Sequence, residues 1–118
     1  MSYASLKTGA PNFLLKTGAA GTDDNDVIYT SADVTAFDVH YIECTVGTVS
    51  WDVSFDGTNW IGDCVGSSIK ATAAGTWVNT AAAGDAVRVP GIFAKIRVLQ
   101  SGATASNARI VHARAVAE

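Results

Sequence analysis

The sequence predicts an all-β protein, an antiparallel β-sandwich with an extended N-terminal arm. Apolar and polar residues alternate in several short runs with turn residues between them, which is the pattern of half-buried strands. No stretch combines helical spacing of apolar residues with helix caps. The 118 residues are 48% hydrophobic, enough for one domain with its own core. We therefore expect an arm over residues 1–25 and a single sandwich domain over residues 26–118.

The predicted arm contains a short repeat. The pentapeptide LKTGA occurs at Leu6–Ala10 and again at Leu15–Ala19, with Pro11 between the two copies. Two short copies are too few for a solenoid. Two interpretations stay open: an arm that lies on a neighbouring subunit, or a frayed terminus followed by one edge strand.

Residues 37–66 predict a three-stranded antiparallel meander. The run FDVHYIECTV is a strand with mixed faces, and Gly47-Thr48 suits a two-residue type II′ hairpin turn. The next strand alternates most clearly, and one of its faces is predicted to be buried: Val49, Trp51, Val53 and Phe55. After a turn at residues 56–59, Trp60 is expected to pack back across the hairpin.

The rest of the chain predicts shorter strands and one strong hairpin. We expect strands near Ser68–Thr72, Trp77–Thr80 and Ala86–Val89, separated by loops of small residues. Alternation is strong again in residues 92–100 and 108–116, which predict a final hairpin around the loop SGATASN. About seven to nine strands at this spacing favour a sandwich or a small barrel.

The charges are few and unevenly distributed. Charged residues make up 16% of the chain and the net charge is −3, so no basic field indicates nucleic acid. Nine acidic residues lie between Asp23 and Asp63, whereas five basic residues follow Asp85. This asymmetry is either a chance cluster or a sign that acidic and basic faces of neighbouring copies meet. A surface this low in charge is typical of a protein covered by a partner.

We expect neither a membrane span nor secretion. The sequence has no apolar stretch of about 18 residues, and no basic segment followed by an apolar core marks a signal peptide. Synthesis in a reducing cytoplasm predicts that Cys44 and Cys64 are free, buried, small apolar residues. Their spacing relative to His40 and His112 does not suit zinc, so no metal and no other cofactor is expected.

The sequence carries no motif for catalysis. His40 and His112 both fall inside predicted strands, where a packed or solvent-facing role is expected. Nucleophile elbows, phosphate loops and dinucleotide fingerprints are absent from the sequence. The chain is therefore not expected to be an enzyme.

Two acidic clusters and one tryptophan remain as candidate binding features. The oxygen donors of the first cluster are not spaced as in an EF-hand: Asp52, Asp56, Asn59 and Asp63. For these residues and for the run GTDDND, a structural cation stays an alternative to Asx-turns at loop tips. Trp77 lies between loops of small residues and is the best candidate for an exposed aromatic side chain, of the kind a sugar site needs.

Two stretches of the chain resemble the small all-β virion proteins of tailed bacteriophages. They are VSFDGTNWIGD and GIFAKIRVLQSGATASNARIVHARAV. Many such proteins have a strand that ends in S-x-D-G-T-N-W, a later strand of the K-I-R-V kind, and a final hairpin with a loop of small residues. The resemblance covers about half of the chain, residues 46–63 and 89–116, and does not extend to the arm or the Ala-rich middle.

The resemblance implies a structural virion protein, most like a capsid decoration (cement) protein with a sandwich or jelly-roll fold. It implies the capsid exterior as the location, and the major capsid protein and further copies of the chain, as a homotrimer, as partners. Contacts with these partners are expected from the arm: Leu6, Lys7, Phe13, Leu14, Leu15 and Lys16. The alternative is a carbohydrate-binding sandwich of a phage tail or surface adhesin.

Overall fold

The computed structural model describes residues 13–18, 20–70 and 74–114. Within them the chain forms ten strands: β1 Phe13–Gly18, β2 Val27–Thr30, β3 Val39–Val46, β4 Thr48–Ser54, β5 Gly66–Ser68, β6 Trp77–Val78, β7 Ala81–Ala82, β8 Ala86–Pro90, β9 Lys95–Gln100 and β10 Asn107–Ala113. They pair in two antiparallel sheets, a six-stranded one in the order β1-β10-β3-β8-β5-β6 and a four-stranded one in the order β2-β9-β4-β7. The predicted all-β sandwich is confirmed.

Eight of these strands wind as a jelly roll. Leaving aside β5 and β6, each strand lies in the opposite sheet from the strand before it, except β7, which pairs with β4 in the four-stranded sheet. The chain therefore wraps around its own core. β5 and β6 pair with each other and are inserted between β4 and β7. This insertion extends the six-stranded sheet beyond β8 and makes it the wider of the two layers.

Two predicted hairpins are wrong, for the same physical reason. β3 and β4 follow each other across Gly47, and β9 and β10 across the loop 101–106, yet both connections run from one sheet to the other. Alternation identifies a strand and its two faces. It does not show whether the next strand in the sequence pairs within the same sheet or crosses to the other sheet. The third strand of the predicted meander is reduced to a single bridge between Val53 and Ile61.

Gly47 is the residue that allows the abrupt crossing from β3 to β4. Its φ angle is +72°, a left-handed conformation that residues other than glycine adopt at a cost. A Cβ atom here would also collide with the hydroxyl of Ser106 and come within 2.8 Å of the Ala105 carbonyl oxygen. The close approach ties the β3–β4 crossing to the β9–β10 loop.

The core lies between the two sheets and confirms most of the predicted buried face. Val49, Trp51 and Val53 are buried, whereas Phe55 is 66% exposed because β4 ends at Ser54. The other large side chains that are fully buried come from both sheets and include Ile42, Ile96, Ile110, Val87 and Val98. Both cysteines are free; Cys44 is buried and Cys64 is partly exposed.

Part of the predicted arm is an integral strand of the roll. β1 pairs with β10 over its whole length, with Leu14 opposite His112 and Lys16 opposite Ile110. Gly18, at the end of β1, lies so close to β2 that an added Cβ would come within 3.2 Å of Tyr29. β1 and β2 therefore form one lateral edge of the sandwich, and β6 lies at the opposite edge of the six-stranded sheet.

Candidate functional site

The outward-facing side of the six-stranded sheet, called the open face here, is the candidate functional surface. The strand registers place five residues in one row across it: Val111, Tyr41, Arg88, Ser67 and Trp77. Residues that lie opposite each other in an antiparallel pair project from the same side of the sheet. Trp77 is 58% exposed at the β6 end of the row, and Arg88 is exposed between Tyr41 and Ser67.

A shallow groove of about 550 Å³ follows the open face beside this row. Its lining residues are Tyr41, Glu43, Ile69, Ala86, Arg109 and Val111. The floor carries a bidentate pair in which Nε and Nη2 of Arg109 donate to the two carboxylate oxygens of Glu43, each at 2.9 Å. This pairing raises the pKa of Arg109. The groove is thus walled by apolar and aromatic groups around charges that already satisfy each other.

Arg88 differs from the other cations of the open face. Arg109 is paired with Glu43, and Nζ of Lys70 lies 3.0 Å from Oδ1 of Asp85 at the rim. Among the described residues, Arg88 forms no ion pair. An exposed guanidinium beside an aromatic side chain can take a carboxylate from outside the chain.

The outer side of the four-stranded sheet is covered by the chain itself. Nε of Arg97 donates to Asp52 across the sheet at 2.8 Å, and the guanidinium lies 4.3 Å from the centre of the Trp60 ring. Trp60, which the sequence predicts to pack back across the hairpin, lies over Arg97, because the loop 55–65 folds back onto this side of the sheet. Stacking on an aromatic ring and pairing with Asp52 occupy Arg97 internally.

The acidic loops use their carboxylates to hold turns. Asp56 accepts hydrogen bonds from the backbone N–H groups of Thr58 and Asn59 and from the Asn59 amide, which lowers the pKa of its carboxyl. Asp26 accepts in the same way from Thr22 and from the backbone of Asp23, with the same effect on its pKa. The contacts of Asp56 form an Asx-turn, the alternative to a structural cation, whereas Asp26 closes its loop by accepting from residues that precede it. Within residues 13–18, 20–70 and 74–114, no group of three or more metal-ligating side chains occurs.

The two histidines meet in the core, although 72 positions separate them in the sequence. Their Nδ1 atoms lie 2.8 Å apart, and both rings are fully buried. Nε2 of His40 is 3.0 Å from the carbonyl oxygen of Gly91, so it is the donor there and Nδ1 of His40 accepts from N–H of His112. The hydroxyl of Tyr29 then donates to Nε2 of His112 at 2.8 Å. One hydrogen-bonded chain thus links β2 in one sheet to β10 and β3 in the other.

Burial determines the protonation states of the hydrogen-bonded side chains Tyr29, His112 and His40. Burial lowers the pKa of His40. Burial, together with the charge that His40 carries once protonated in acid and the charge of Lys16, lowers the pKa of His112 to about 4. Burial also raises the pKa of Tyr29 to about 12. Both imidazoles are therefore neutral near pH 7 and pack within strands, one of the two roles expected for them. Their full burial makes the chain a link between the sheets.

The predicted arm residues are placed only in part. Leu6 and Lys7 lie outside the described residues. Phe13, Leu14 and Leu15 belong to β1, and Lys16, in the same strand, is exposed. Sequence reasoning missed the row on the open face, because Tyr41, Arg88 and Trp77 come together only through the strand registers.

Comparison with known proteins relates this fold to one prophage protein. No known protein family matches the chain, and no curated protein is significantly similar to it in sequence. The structure is similar to that of the SPBc2 prophage-derived protein YomS, with a TM-score of 0.61 and 8% identity over 84% of this chain and 93% of that one. A protein of Bacillus endospore appendages, which form disulfide-linked pili, matches over 88% and 90% with 14% identity, but its TM-score of 0.38 is too low to support an inference. The likeness to YomS shows the fold alone.

Among the described residues, no helix is long and apolar enough to cross a membrane.

Proposed function

We propose that this chain is a structural virion protein of a tailed bacteriophage that binds the outer surface of the capsid and stabilises the shell. The observation that carries the proposal is the jelly roll, which aligns with 93% of a protein derived from a prophage. The two stretches that resemble phage virion proteins support the same origin independently of the fold. The low content of charged residues, 16%, suits a surface that is covered in an assembly.

Shell stabilisation by such a protein follows from mass action. Each bound copy favours the assembled state over the dissociated one by the free energy of its own contact. Copies that are joined to one another and bound to the same shell add avidity, because a released copy is held close to its site. The partners of the proposal are the major capsid protein and further copies of the chain as a homotrimer, at the capsid exterior after synthesis in the host cytoplasm.

The arm residues can be tested with a truncation that the structure defines. Residues 13–18 form β1, so a deletion of residues 1–20 would remove an edge strand together with the residues before it. Deleting residues 1–12 takes away Leu6 and Lys7 and leaves β1 intact. We expect this variant to fold with an unchanged circular dichroism spectrum and to sediment less with purified phage heads. A second variant, Lys16→Ala, separates the contribution of β1 from that of the preceding residues.

The outcome that contradicts the proposal is clear. If the full-length chain does not sediment with heads that lack it, and does not raise their resistance to heat, capsid binding is wrong. If the full-length chain and the deletion variant bind equally well, the arm contacts are wrong while capsid binding stands.

The exposure of Trp77 favours one alternative, a carbohydrate-binding sandwich of a tail or surface adhesin. Trp77 is 58% exposed on a sheet face that also carries Tyr41 and Arg88. Binding to a glycan array that disappears in Trp77→Ala would support this function. Phe55→Ala is the matched control, because Phe55 is 66% exposed outside the open face.

A further inference from the structure

We infer that the β6 side of the open face, formed by Ile69, Trp77 and Arg88, docks onto the β1–β2 edge of a second copy of this chain. The inference names an interface for the self-association that the proposed function includes, and it does not require that the chain bind a capsid. Three properties of the two surfaces support it: their composition, their charges and their positions in the fold.

The β6 side has the composition of an interface centre. Ile69 and Trp77 are 53% and 58% exposed, and Arg88 lies in the same row as Trp77, with Ser67 between them. Tryptophan and arginine dominate the residues that carry binding energy at protein interfaces. The small side chain of Ser67 leaves room beside the indole ring, which suits the entry of a side chain from a partner.

The charges of the two surfaces are complementary. Arg88 forms no ion pair among the described residues, whereas the other two cations of the open face are paired within the chain. On the loop between β1 and β2, Asp23 is exposed and its carboxylate has no partner in the described part of the chain. Asp24 beside it uses one carboxylate oxygen for the backbone N–H of Gly102. An unpaired carboxylate and an unpaired guanidinium on separate surfaces can satisfy each other between copies.

The acidic loop also has an apolar neighbour. Val27, the first residue of β2, is 48% exposed directly after this loop. In the proposed contact Val27 packs on Trp77 while Asp23 pairs with Arg88. The carboxylate of Asp26 is not available for this role, because it accepts three hydrogen bonds from Thr22 and Asp23.

The positions of the two surfaces determine the kind of assembly. β1 and β6 are the two edge strands of the six-stranded sheet, separated by four other strands, or about 24 Å. Each copy therefore presents one surface at each lateral edge, and the contact is head-to-tail. Head-to-tail contacts close into rings when the rotation between copies permits, and a ring of three is the homotrimer of the proposed function.

Charge exchange tests the contact in the absence of any capsid. The full-length chain is studied by light scattering and analytical ultracentrifugation over a range of concentrations, together with Arg88→Glu, Asp23→Lys and the double variant. We expect the wild-type chain to associate, and each single reversal to weaken association by about 10-fold or more. The double variant should regain association, because the pair is restored with its charges exchanged.

Lys95→Glu is the matched control, since it makes the same charge change on the four-stranded sheet and should leave association unchanged. Trp77→Ala should weaken association as much as a single reversal does. A wild-type chain that stays monomeric at all concentrations overturns the inference, and so does a double variant that associates no better than the single ones. Loss of glycan binding in Trp77→Ala with unchanged association would instead assign this surface to a sugar.

Discussion

The outer sides of the two sheets carry the same chemistry in different surroundings. Each has an arginine paired with a carboxylate on the neighbouring strand, Arg97 with Asp52 on the four-stranded sheet and Arg109 with Glu43 on the six-stranded sheet. In the first pair the side chains are 28% and 11% exposed, and in the second 55% and 44%. The difference comes from the loop 55–65, which places Trp60 over Arg97 and has no counterpart over Arg109 in the described part of the chain.

Both ion pairs join an arginine to a carboxylate, so residue type does not distinguish them. Coverage by a loop decides whether an ion pair is structural or stays open to a partner. A covered pair has lost much of its hydration, so removing one member leaves a charge that the protein cannot solvate well. An exposed pair can exchange its partner for water at little cost. The four-stranded side should therefore be important for folding, and the open face should tolerate substitution and remain free for binding.

The largest predicted effect is a loss of stability at acidic pH. The hydrogen-bonded side chains of Tyr29, His112 and His40 join the two sheets, so protonation of the histidines affects the link between them. The unfolded chain binds a proton on each histidine near pH 6.5, whereas folded His112 does so only near pH 4. The unfolded state therefore binds more protons in this window, and stability falls as the pH drops from about 6.5 towards about 4. For His112 the loss approaches about 3 kcal/mol, measured by urea denaturation at a series of pH values.

The acidic residues provide an internal control for this titration. The pKa values of Asp26, Asp33 and Asp56 are lowered from 3.8 by hydrogen bonds in their turns, so their contributions disappear only below that pH. A stability curve that is flat from pH 7 to 4.5 and falls only below this range would contradict the role of His112.

Tyr29→Phe should cost about 1 to 3 kcal/mol at pH 7, because it leaves Nε2 of buried His112 without its donor.

The comparison of the two ion pairs predicts the second largest effect. Asp52→Ala should cost about 2 kcal/mol, less than for a fully buried pair because Arg97 is partly exposed. The matched change on the open face, Glu43→Ala, should cost less than about 1 kcal/mol. Urea denaturation of both variants and of the corresponding double-mutant cycles gives the two coupling energies. Equal costs would show that the covering loop has no energetic consequence.

The tryptophans give a smaller contrast between the same two faces. Trp60→Ala should cost about 1 kcal/mol, because it removes the contact with the Arg97 guanidinium and opens the Asp52 pair to water. Trp77→Ala should change stability by no more than about 0.5 kcal/mol, since its ring is exposed. A thermal unfolding series can measure both. A larger loss for Trp77 than for Trp60 would reverse the assignment of the two faces.

These contrasts also show how far the sequence could predict the molecule. Alternation identified β4 and its buried residues Val49, Trp51 and Val53, because the period of a strand is local. It could not identify the partners of β4, because these depend on which sheet the chain enters after Gly47. The predicted hairpin at Gly47 is wrong for this reason. The row from Tyr41 to Trp77 was hidden for the same reason, since it depends on three strand registers at once.

The smallest effect should be that of Glu43→Gln, which keeps the shape of the side chain and removes only its charge. Water already reaches both members of the Glu43–Arg109 pair, so the variant should lose no more than about 0.5 kcal/mol. Salt screens exposed charges, and near 1 M the difference from the wild type should disappear. Asp52→Asn should keep most of its cost at the same salt concentration, because Trp60 and the loop shield that pair. If salt abolishes the cost of both substitutions equally, the pair on the four-stranded sheet is as hydrated as the one on the open face.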